Sequence, residues 1–319
     1  MTNLQRIKTL AELVPHHIED VLAKGLSDQT AYTKERALNL FINWCSSQNI
    51  SVIGDLSIEV LENFRKHLYR YRKPDGKPLQ LSTQRLRLMA VTGFLKFLDH
   101  YELMDSTFYK KFTLPKVPQK FPKDIPDFEE IELIFKQTET AGAMMLRDRA
   151  YLEFLYGTGM RRCEVARVQV NHLDFKNNLV IIRKGKGSLD RVAPLAERVK
   201  FWLKKYLKEL RPKLANIDSG DALLLGHNGK PLKLSALTEL ASYYVARSGI
   251  GKQGACHIFR HATATHMVRG GADTRFVQEL LGHQDMKSTQ IYTHLTAKDL
   301  SKAYNQYHPA ANSAPRQGL

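Results

Sequence analysis

The first third of the chain alternates apolar and polar positions with a helical period. Four stretches follow this pattern, at 10–23, at about 30–47, at 58–69 and from Ser82 or Thr83 onward. Each carries apolar residues three or four positions apart, so that they share one face of a helix. Ser82 and Thr83 are both suited to cap the fourth helix at its amino end. Four helices with one apolar face each predict a small bundle over residues 1–112.

A proline-rich segment follows this bundle. FTLPKVPQKFPKDIP, at 112–126, contains four prolines and three lysines. Proline interrupts helices and stiffens an extended chain. We therefore predict a linker over residues 113–126.

Beyond the linker the pattern is mixed, which predicts a second domain over residues 127–308. Helical spacing indicates helices at 128–138, 144–157, 162–168, 196–210, 235–248, 257–269, 273–281 and 296–306. A β-hairpin is predicted for LVIIRKGKGSLDRVAPL, because a β-branched run, a polar turn and a second apolar run follow one another. Residues 309–319 are expected to form a flexible tail.

The charge balance gives the first indication of a partner. The chain carries a formal charge of +16, which favours association with nucleic acid or an anionic membrane surface. No apolar run approaches the roughly 20 residues that span a bilayer, and the amino terminus lacks the apolar stretch of a secretion signal. Three scattered cysteines without a CxxC pair argue against a disulfide framework and a zinc ribbon. We therefore expect a cytoplasmic protein that does not bind membranes.

Histidines cluster in CHIFRHATATHM, at 256–267. His257 and His261 lie four positions apart, on one helical face, as zinc ligands do. However, Ile258 replaces the glutamate of HExxH, and no third ligand follows at a familiar spacing. We therefore expect no metal site, and a structural role for His261 and His266 in packing or capping.

A second interpretation accounts for more of the polar residues. Arg260 lies three positions after His257 on the same helical face, and GTGMRRCE places Arg161 directly after a glycine turn. Taken singly, each candidate could be an ordinary surface or ion-paired residue. As an ordered set they predict a site for a phosphodiester, since arginines offer forked donors to phosphate oxygens. The set comprises Arg161, Lys186, His257, Arg260, His283 and Tyr292.

These segments resemble the tyrosine recombinase, or phage integrase, family, and most of all its Xer-like branch. YGTGMRRCE is similar to the first arginine box of that family, KGKGSLDRVAPL to its lysine hairpin, HIFRHATATHM to its His-x-x-Arg-His box and LGHQDMKSTQIYTHL to its nucleophile box. The resemblance implies a mainly α fold with a small β-sheet: a helical, SAM-like core-binding domain followed by an α+β catalytic domain. AYNQYHPAA is similar to the Xer-type tail helix, which docks on a neighbouring protomer. The sequence departs from the family pattern at Cys163, Leu189 and Ala193 and keeps the catalytic residue types.

The resemblance also implies a reaction. Tyr292 would attack the scissile phosphate to give a 3′-phosphotyrosine and a 5′-hydroxyl, on a path through a Holliday junction. Lys186 would act as the general acid, His257 would accept the tyrosine proton, and His283 would donate a hydrogen bond to the phosphate. Glu164 either orients the site or is structural. The family resemblance implies no cofactor, no ATP and no metal.

The same resemblance implies double-stranded DNA as the partner, held by a homotetramer, or a heterotetramer with a second recombinase, on two DNA sites. Basic residues interleaved with Tyr69 and Tyr71 are candidates for phosphate contacts, although a solvated helix end would have the same composition. They are Arg65, Lys66, Arg70, Arg72, Lys73, Lys77, Arg85 and Arg87.

Two other activities stay open at this point. A type IB topoisomerase-like enzyme would use the same chemistry to relax DNA without exchanging strands. A non-catalytic regulator would keep the fold and bind DNA only, which the complete set of six candidate residues argues against. The sequence does not choose between dimer resolution and integration of a mobile element.

Overall fold

The structure of the protein is a computed structural model that describes residues 9–104, 107–118, 125–183, 190–282 and 297–312. The chain divides into two compact units, Met1–Lys120 and Phe121–Leu319. Both are largely helical, and a three-stranded antiparallel sheet lies in the second. The predicted fold class, mainly α with a small β-sheet, is confirmed. Among the described residues, no helix has the length and apolar character needed to cross a membrane.

Four long helices build the first unit: α1 Leu10–Ala23, α2 Asp28–Ser47, α3 Ile58–Arg70 and α4 Leu81–His100. Their apolar faces meet in one core, which includes the rings of Phe41, Phe64 and Phe94. Side-chain oxygens that accept from backbone N–H groups cap the first three helices, at Thr9, Ser27 and Ser57. The four helices predicted from the apolar periodicity are all present.

The fourth helix begins earlier than the sequence predicted. Gln80 occupies its N-cap position without a side-chain hydrogen bond, so that Ser82 and Thr83 lie inside the first turn. The side chain of Gln84 donates to the carbonyl of Leu79 at 2.9 Å, and this bond fixes the chain just before the helix. The prediction that Ser82 or Thr83 caps the helix is therefore wrong.

A buried histidine in this bundle has no polar partner among the described residues. His17 on α1 is 3% exposed, and neither of its ring nitrogens is hydrogen-bonded. Its ring packs edge-on against Phe94 and Phe97, with centroids 5.7 and 5.1 Å away. Burial, and to a smaller extent the positive charge of Lys34, lowers the pKa of His17 to about 4. The folded state therefore favours the neutral imidazole.

We expect His17→Leu to make the first unit more resistant to acid. An unfolded histidine takes up its proton near pH 6.5, whereas folded His17 does so near 4. The unfolded state therefore binds more protons as the pH falls between these values, and the free energy of unfolding decreases by about 2 kcal/mol from about pH 7 to about pH 5. Leucine removes this proton uptake. Urea unfolding at both pH values, followed through the fluorescence of Trp44 in a Trp202→Phe background, measures the difference.

His16→Leu is the matched control, because His16 is exposed on the same helix. This variant should keep the pH dependence of the wild type. An acid sensitivity as large in His17→Leu as in the wild type would contradict the prediction.

The second unit packs its helices around a central one, α6. The helices are α5 Phe128–Lys136, α6 Met145–Thr158, α7 Arg162–Val165, α8 Glu197–Lys205, α9 Arg211–Leu214, α10 Leu234–Arg247, α11 Cys256–Arg269, α12 Thr274–Leu281, α13 Ala297–Tyr307 and α14 Pro309–Asn312. Buried charges on α6 are paired inside the unit, where Arg149 and Arg198 both donate to the carboxylate of Glu153. Breaking a buried ion pair strongly destabilises the folded state. These pairs therefore hold α6 in place, and with it the start of the loop that follows.

The sheet has the order β1 Leu173–Asp174, β2 Leu179–Ile182 and β3 Arg191–Pro194. β2 and β3 pair antiparallel from Leu179 opposite Pro194 to Ile182 opposite Arg191, which confirms the predicted hairpin. Its turn, 184–189, lies outside the described residues. β1 was not predicted, because two residues are too few to show an alternating pattern.

The predicted helix at 196–210 is interrupted. α8 ends at Lys205, and a π-helical turn over Tyr206–Leu210 leads into α9. Pro212 has no N–H to continue the regular hydrogen bonds. The buried hydroxyl of Tyr206 accepts from the N–H of Leu225 at 3.2 Å, which anchors the turn in the core.

The carboxyl-terminal helices pack against their own unit. Tyr304 on α13 is fully buried and donates its hydroxyl proton to the Gly157 carbonyl, and its ring stacks on His308 at 4.7 Å. Ala310 on α14 is also fully buried. The predicted flexible tail is therefore wrong for 309–312, where the apolar core holds a helical turn. Residues 313–319 lie outside the described residues.

The two ends of the predicted linker are each attached to a unit. Arg65 donates to the carbonyl of Thr113 at 3.3 Å, and Lys252 donates to that of Ile125 at 3.1 Å. Residues 119–124, between these anchors, lie outside the described residues. A linker between the units stays a prediction for this shorter segment.

Candidate active site

A tight turn after α6 brings three helices together. Gly159 ends α6 in the left-handed conformation, with φ +58°. A Cβ at this position would lie 2.8 Å from Leu281 Cδ2 on α12 and 3.3 Å from Thr263 Cγ2 on α11. Glycine is therefore required both by its backbone angle and by the close approach of the two helices.

Arg161 follows this turn and faces the end of α12. Its Nη2 donates to the carbonyl of Gly282 at 2.8 Å, and its Nη1 donates to Glu164 Oε1 at 3.0 Å. The backbone N–H of Arg161 donates to the other carboxylate oxygen of Glu164 at 2.7 Å. The side chain is 19% exposed, so the guanidinium is oriented by the protein and still reaches solvent.

Arg260 on α11 binds the same region from a more buried position. Its Nη1 donates to the Gly159 carbonyl and its Nη2 to the Leu281 carbonyl, both at 2.7 Å. Burial, and after it the positive charge of Arg161, lowers the pKa of Arg260 to about 10. Arg260 therefore keeps its charge at neutral pH, next to the guanidinium of Arg161.

His257 lies one turn before Arg260 on α11, and its side chain is exposed. Loss of solvation, followed by the positive charge of Arg260, lowers its pKa. Arg162 and Arg161 act in the same direction at smaller strength. Neutral imidazole is therefore the dominant form near pH 7, in contact with solvent and surrounded by cations.

Arg191 is a member of this site that the sequence did not single out. At the start of β3, it donates from Nη2 to Glu164 Oε2 at 2.9 Å and from Nη1 to the Leu280 carbonyl at 2.6 Å. We call Arg161, Arg191 and Arg260, with the carboxylate of Glu164, the arginine cluster. The only indication in the sequence was the place of Arg191 at the end of RKGKGSLDR, directly before an apolar strand.

Glu164 is the carboxylate that these arginines share, and it is 3% exposed. Burial acts to raise its pKa, but the charges and hydrogen bonds of Arg191 and Arg161 outweigh burial and leave the pKa below its ordinary value. Glu164 is therefore ionised at neutral pH. One carboxylate hydrogen-bonded to two of three guanidinium groups leaves the arginine cluster positively charged.

The structure brings three of the six predicted site residues together: Arg161, His257 and Arg260. The other three, Lys186, His283 and Tyr292, lie outside the described residues. The described neighbours of His283 are nevertheless in the site, because the arginine cluster binds the carbonyls of Leu280, Leu281 and Gly282.

The remaining histidines of this segment have separate environments. His266 is buried, with Nδ1 2.8 Å from the Tyr156 hydroxyl and Nε2 3.0 Å from the Pro126 carbonyl. His261 is exposed on α11. The structure thus gives His266 the packing role expected for it, whereas His261 has no such contact among the described residues.

Three of the eight basic residues predicted to contact DNA bind backbone carbonyls of the first unit. Arg72 Nη1 donates to three carbonyls at the end of α3, at 3.0 to 3.1 Å. Arg65 and Arg85 donate to carbonyls in the segment that follows α4. Their guanidinium groups therefore have structural roles that the sequence did not show.

The other five predicted DNA contacts are Lys66, Arg70, Lys73, Lys77 and Arg87. Lys66, Arg70 and Lys77 are exposed, whereas Lys73 and Arg87 are half-buried. Tyr69 and Tyr71 are 66% and 41% exposed. We call the exposed Lys66, Arg70 and Lys77, with these two rings, the basic surface at the end of α3.

Comparison with known proteins gives the family. Residues 126–299 match the phage integrase family. The tyrosine recombinase XerC 2 of Ralstonia nicotianae is 37% identical over 94% of this chain and 86% of its own length. The tyrosine recombinase XerD of Lacticaseibacillus casei is 32% identical over 92% of this chain and 96% of its own length.

Solved structures share the fold. The XerH site-specific recombinase, bound to palindromic difH substrate in a post-cleavage complex, superposes with a TM-score of 0.67 at 22% identity, covering 89% of this chain and 81% of that one. A lambda integrase tetramer bound to a Holliday junction gives 0.66 at 14% identity, covering 92% and 82%. The family match over more than half of the chain, together with relatives above 30% identity over nearly all of it, shows that this chain belongs to the phage integrase family of tyrosine recombinases.

Proposed function

We propose that the protein exchanges DNA strands at specific sites by using Tyr292 as a nucleophile, with Arg161, His257 and Arg260 holding the scissile phosphate. The observation that carries this proposal is the arginine cluster, where cations converge at the end of α12, directly before His283. A phosphodiester brings a negative charge that such a cluster can neutralise.

Charge complementarity supports the role of the two arginines. In the transition state, negative charge grows on the non-bridging phosphate oxygens, and preorganised donors stabilise it without the cost of reorienting water. Arg161 combines fixed hydrogen bonds with solvent exposure, which suits a group that binds an incoming phosphate. Arg260 is more buried, and its charge adds to that of Arg161.

The lowered pKa of His257 supports its role as a proton acceptor. A tyrosine hydroxyl, with an ordinary pKa of about 10, is a poor nucleophile until its proton is removed. Neutral imidazole can accept that proton, whereas imidazolium cannot. The cations that lower the pKa of His257 would also favour phenolate character in Tyr292.

The proposed reaction conserves the energy of the DNA backbone. Tyr292 Oη attacks phosphorus, the bond to the 5′ oxygen breaks, and Lys186 donates the proton that makes this oxygen a hydroxyl, while His283 donates a hydrogen bond to the phosphate. The product is a 3′-phosphotyrosine. The 5′-hydroxyl of a partner strand reverses these steps and reseals the backbone, and a second round resolves the Holliday junction. One phosphodiester is broken and one formed, so neither ATP nor a metal enters the balance.

Double-stranded DNA is the proposed partner, with the basic surface at the end of α3 contacting phosphates. XerH and lambda integrase were solved bound to DNA, the latter also as a tetramer. On this basis we propose a tetramer on two DNA sites, built from one recombinase or from two, in the cytoplasm where chromosomal DNA lies. The high positive charge supports this assignment.

A trapping experiment tests the proposal. Duplexes with randomised centres are enriched by binding to the protein, then nicked so that cleavage releases a short fragment and prevents resealing. We expect an SDS-resistant protein–DNA adduct whose peptide mass places the DNA on Tyr292, and sequencing of the trapped DNA gives the target site. Binding without any adduct would indicate a regulator, and relaxation of a supercoiled plasmid that lacks the enriched sequence would indicate a topoisomerase.

A further inference from the structure

Three arginines bind three successive carbonyls at the end of α12. Arg191 binds Leu280 at 2.6 Å, Arg260 binds Leu281 at 2.7 Å and Arg161 binds Gly282 at 2.8 Å. The last carbonyls of a helix have no intrahelical partner and carry partial negative charge. The donors come from β3, α11 and the start of α7, so this helix end is fixed from three directions.

Arg191 also connects this helix end to the carboxylate that orients Arg161. Its second nitrogen, Nη2, donates to Glu164 Oε2, while Arg161 donates to Glu164 Oε1. A Cβ on Gly282 would lie 2.8 Å from Arg191 Nε, so the guanidinium lies directly against the backbone that leads to residue 283. The contact explains a glycine at this position, beyond its φ of +61°.

The terminal nitrogens of Arg191 connect the carboxylate of Glu164 to the end of α12. Its side chain is 14% exposed, and both terminal nitrogens donate to the protein. Its Nε is buried, without a partner among the described residues. The bonds of Arg191 therefore act on the groups that place Arg161 and the end of α12.

We propose that Arg191 is a positioning residue for strand cleavage: it fixes the carboxylate that orients Arg161 and holds the helix end that precedes His283. The inference rests on the proposed function. Lysine at this position would keep the charge, but a single ammonium lacks the planar fork that reaches two acceptors in fixed directions. Misplacing a reacting group by about 1 Å can cost about 100-fold in rate.

The charged groups around Glu164 predict how the cleavage rate of an Arg191 variant depends on pH. Arg161 and Arg191 bond it, Arg260 from α11 adds positive charge, and Glu279 from α12 lies near Arg191. Without Arg191, burial would raise the pKa of Glu164. Protonation of Glu164 would then release Arg161, so the cleavage rate should fall at a higher pH than in the wild type.

The test compares Arg191→Lys and Arg191→Gln with the wild type on the trapping substrate, measuring the single-turnover cleavage rate at saturating DNA, the Kd and the thermal midpoint. Arg211→Lys is the matched control, since Arg211 also donates to backbone carbonyls, those of Ala222 and Gly220, but outside the arginine cluster. We expect the cleavage rate to fall about 100-fold in both Arg191 variants, while their Kd for DNA stays within about twofold of the wild-type value. The cleavage rate of Arg211→Lys should change little. The acid limb of the rate should move to higher pH in Arg191→Gln, and adding Glu164→Gln to that variant should return the limb to the one set by His257.

Cleavage by Arg191→Lys at the wild-type rate would overturn the inference, and so would a loss explained by weaker DNA binding or by unfolding. In those cases the wild type still forms its adduct with Tyr292, and the proposed function stands. A wild type that forms no adduct would overturn the proposed function and the inference together. If Arg191→Gln does not fold, the rate and Kd of Arg191→Lys decide the question.

Discussion

Tyr292→Phe will abolish the covalent DNA adduct and leave DNA binding unchanged. The substitution removes one oxygen atom, which is the proposed nucleophile, and keeps the aromatic ring. Without that oxygen no bond to phosphorus can form, so adduct should fall below detection, whereas the cationic groups that bind DNA remain. The adduct on nicked duplex is measured by denaturing gel, and the Kd by fluorescence anisotropy at the same ionic strength.

Tyr243→Phe is the control for this substitution. Tyr243 is 50% exposed on α10 and loses the same atom, so its variant should form adduct as the wild type does. The buried tyrosines of the second unit are unsuited as replacements, because burial raises their pKa and holds them protonated: Tyr151, Tyr156, Tyr206, Tyr244 and Tyr304. Adduct formation by Tyr292→Phe would refute Tyr292 as the nucleophile.

The motif order predicted candidate residues for the chemistry but not how the protein holds them. Arg161 and Arg260 were identified from short sequence boxes. Their bonds join residues far apart in the chain, since Arg161 meets Gly282 across 121 positions and Arg260 meets Gly159 across 101. A motif records residue type and local spacing, whereas these contacts depend on how α6, α11 and α12 pack.

Arg191 shows why a residue of the site can be missed. An arginine at the start of a strand is usually solvated, and its sequence neighbours give no indication of a carboxylate. Its partners, Glu164 and the Leu280 carbonyl, lie 27 and 89 positions away. Only the packing of β3 against α7 and α12 makes it part of the site.

The first unit shows a second limit of sequence patterns. Its helices were predicted well, because apolar residues at helical spacing fill one core. Eight basic residues of this unit were predicted as DNA contacts from their charge and from the neighbouring Tyr69 and Tyr71. Arg65, Arg72 and Arg85 also bind carbonyls of their own unit, because a long cationic side chain near a helix end or an extended segment finds unpaired acceptors there.

Arg161→Ala will lower the single-turnover cleavage rate by about 10²–10³, because one preorganised donor to the developing charge is lost. The same change removes the side-chain donors to Glu164 Oε1 and to the Gly282 carbonyl, so thermal unfolding must be measured in parallel. Arg161→Lys separates the two effects. Lysine keeps a positive charge but lacks the planar fork that can bind the protein and a phosphate oxygen at the same time. We therefore expect Arg161→Lys to cleave at a rate between those of the wild type and Arg161→Ala.

Arg211→Ala is the control for stability, since it removes a guanidinium that holds backbone carbonyls away from the arginine cluster. We expect it to lower the thermal midpoint while cleavage at a permissive temperature stays near the wild-type rate. A cleavage rate in Arg161→Ala within about threefold of wild type at saturating DNA would contradict the role of Arg161, because a donor to the transition state cannot be removed at so small a cost. Full recovery in Arg161→Lys would instead show that charge alone suffices, without the fixed direction that the bonds to Glu164 and Gly282 provide.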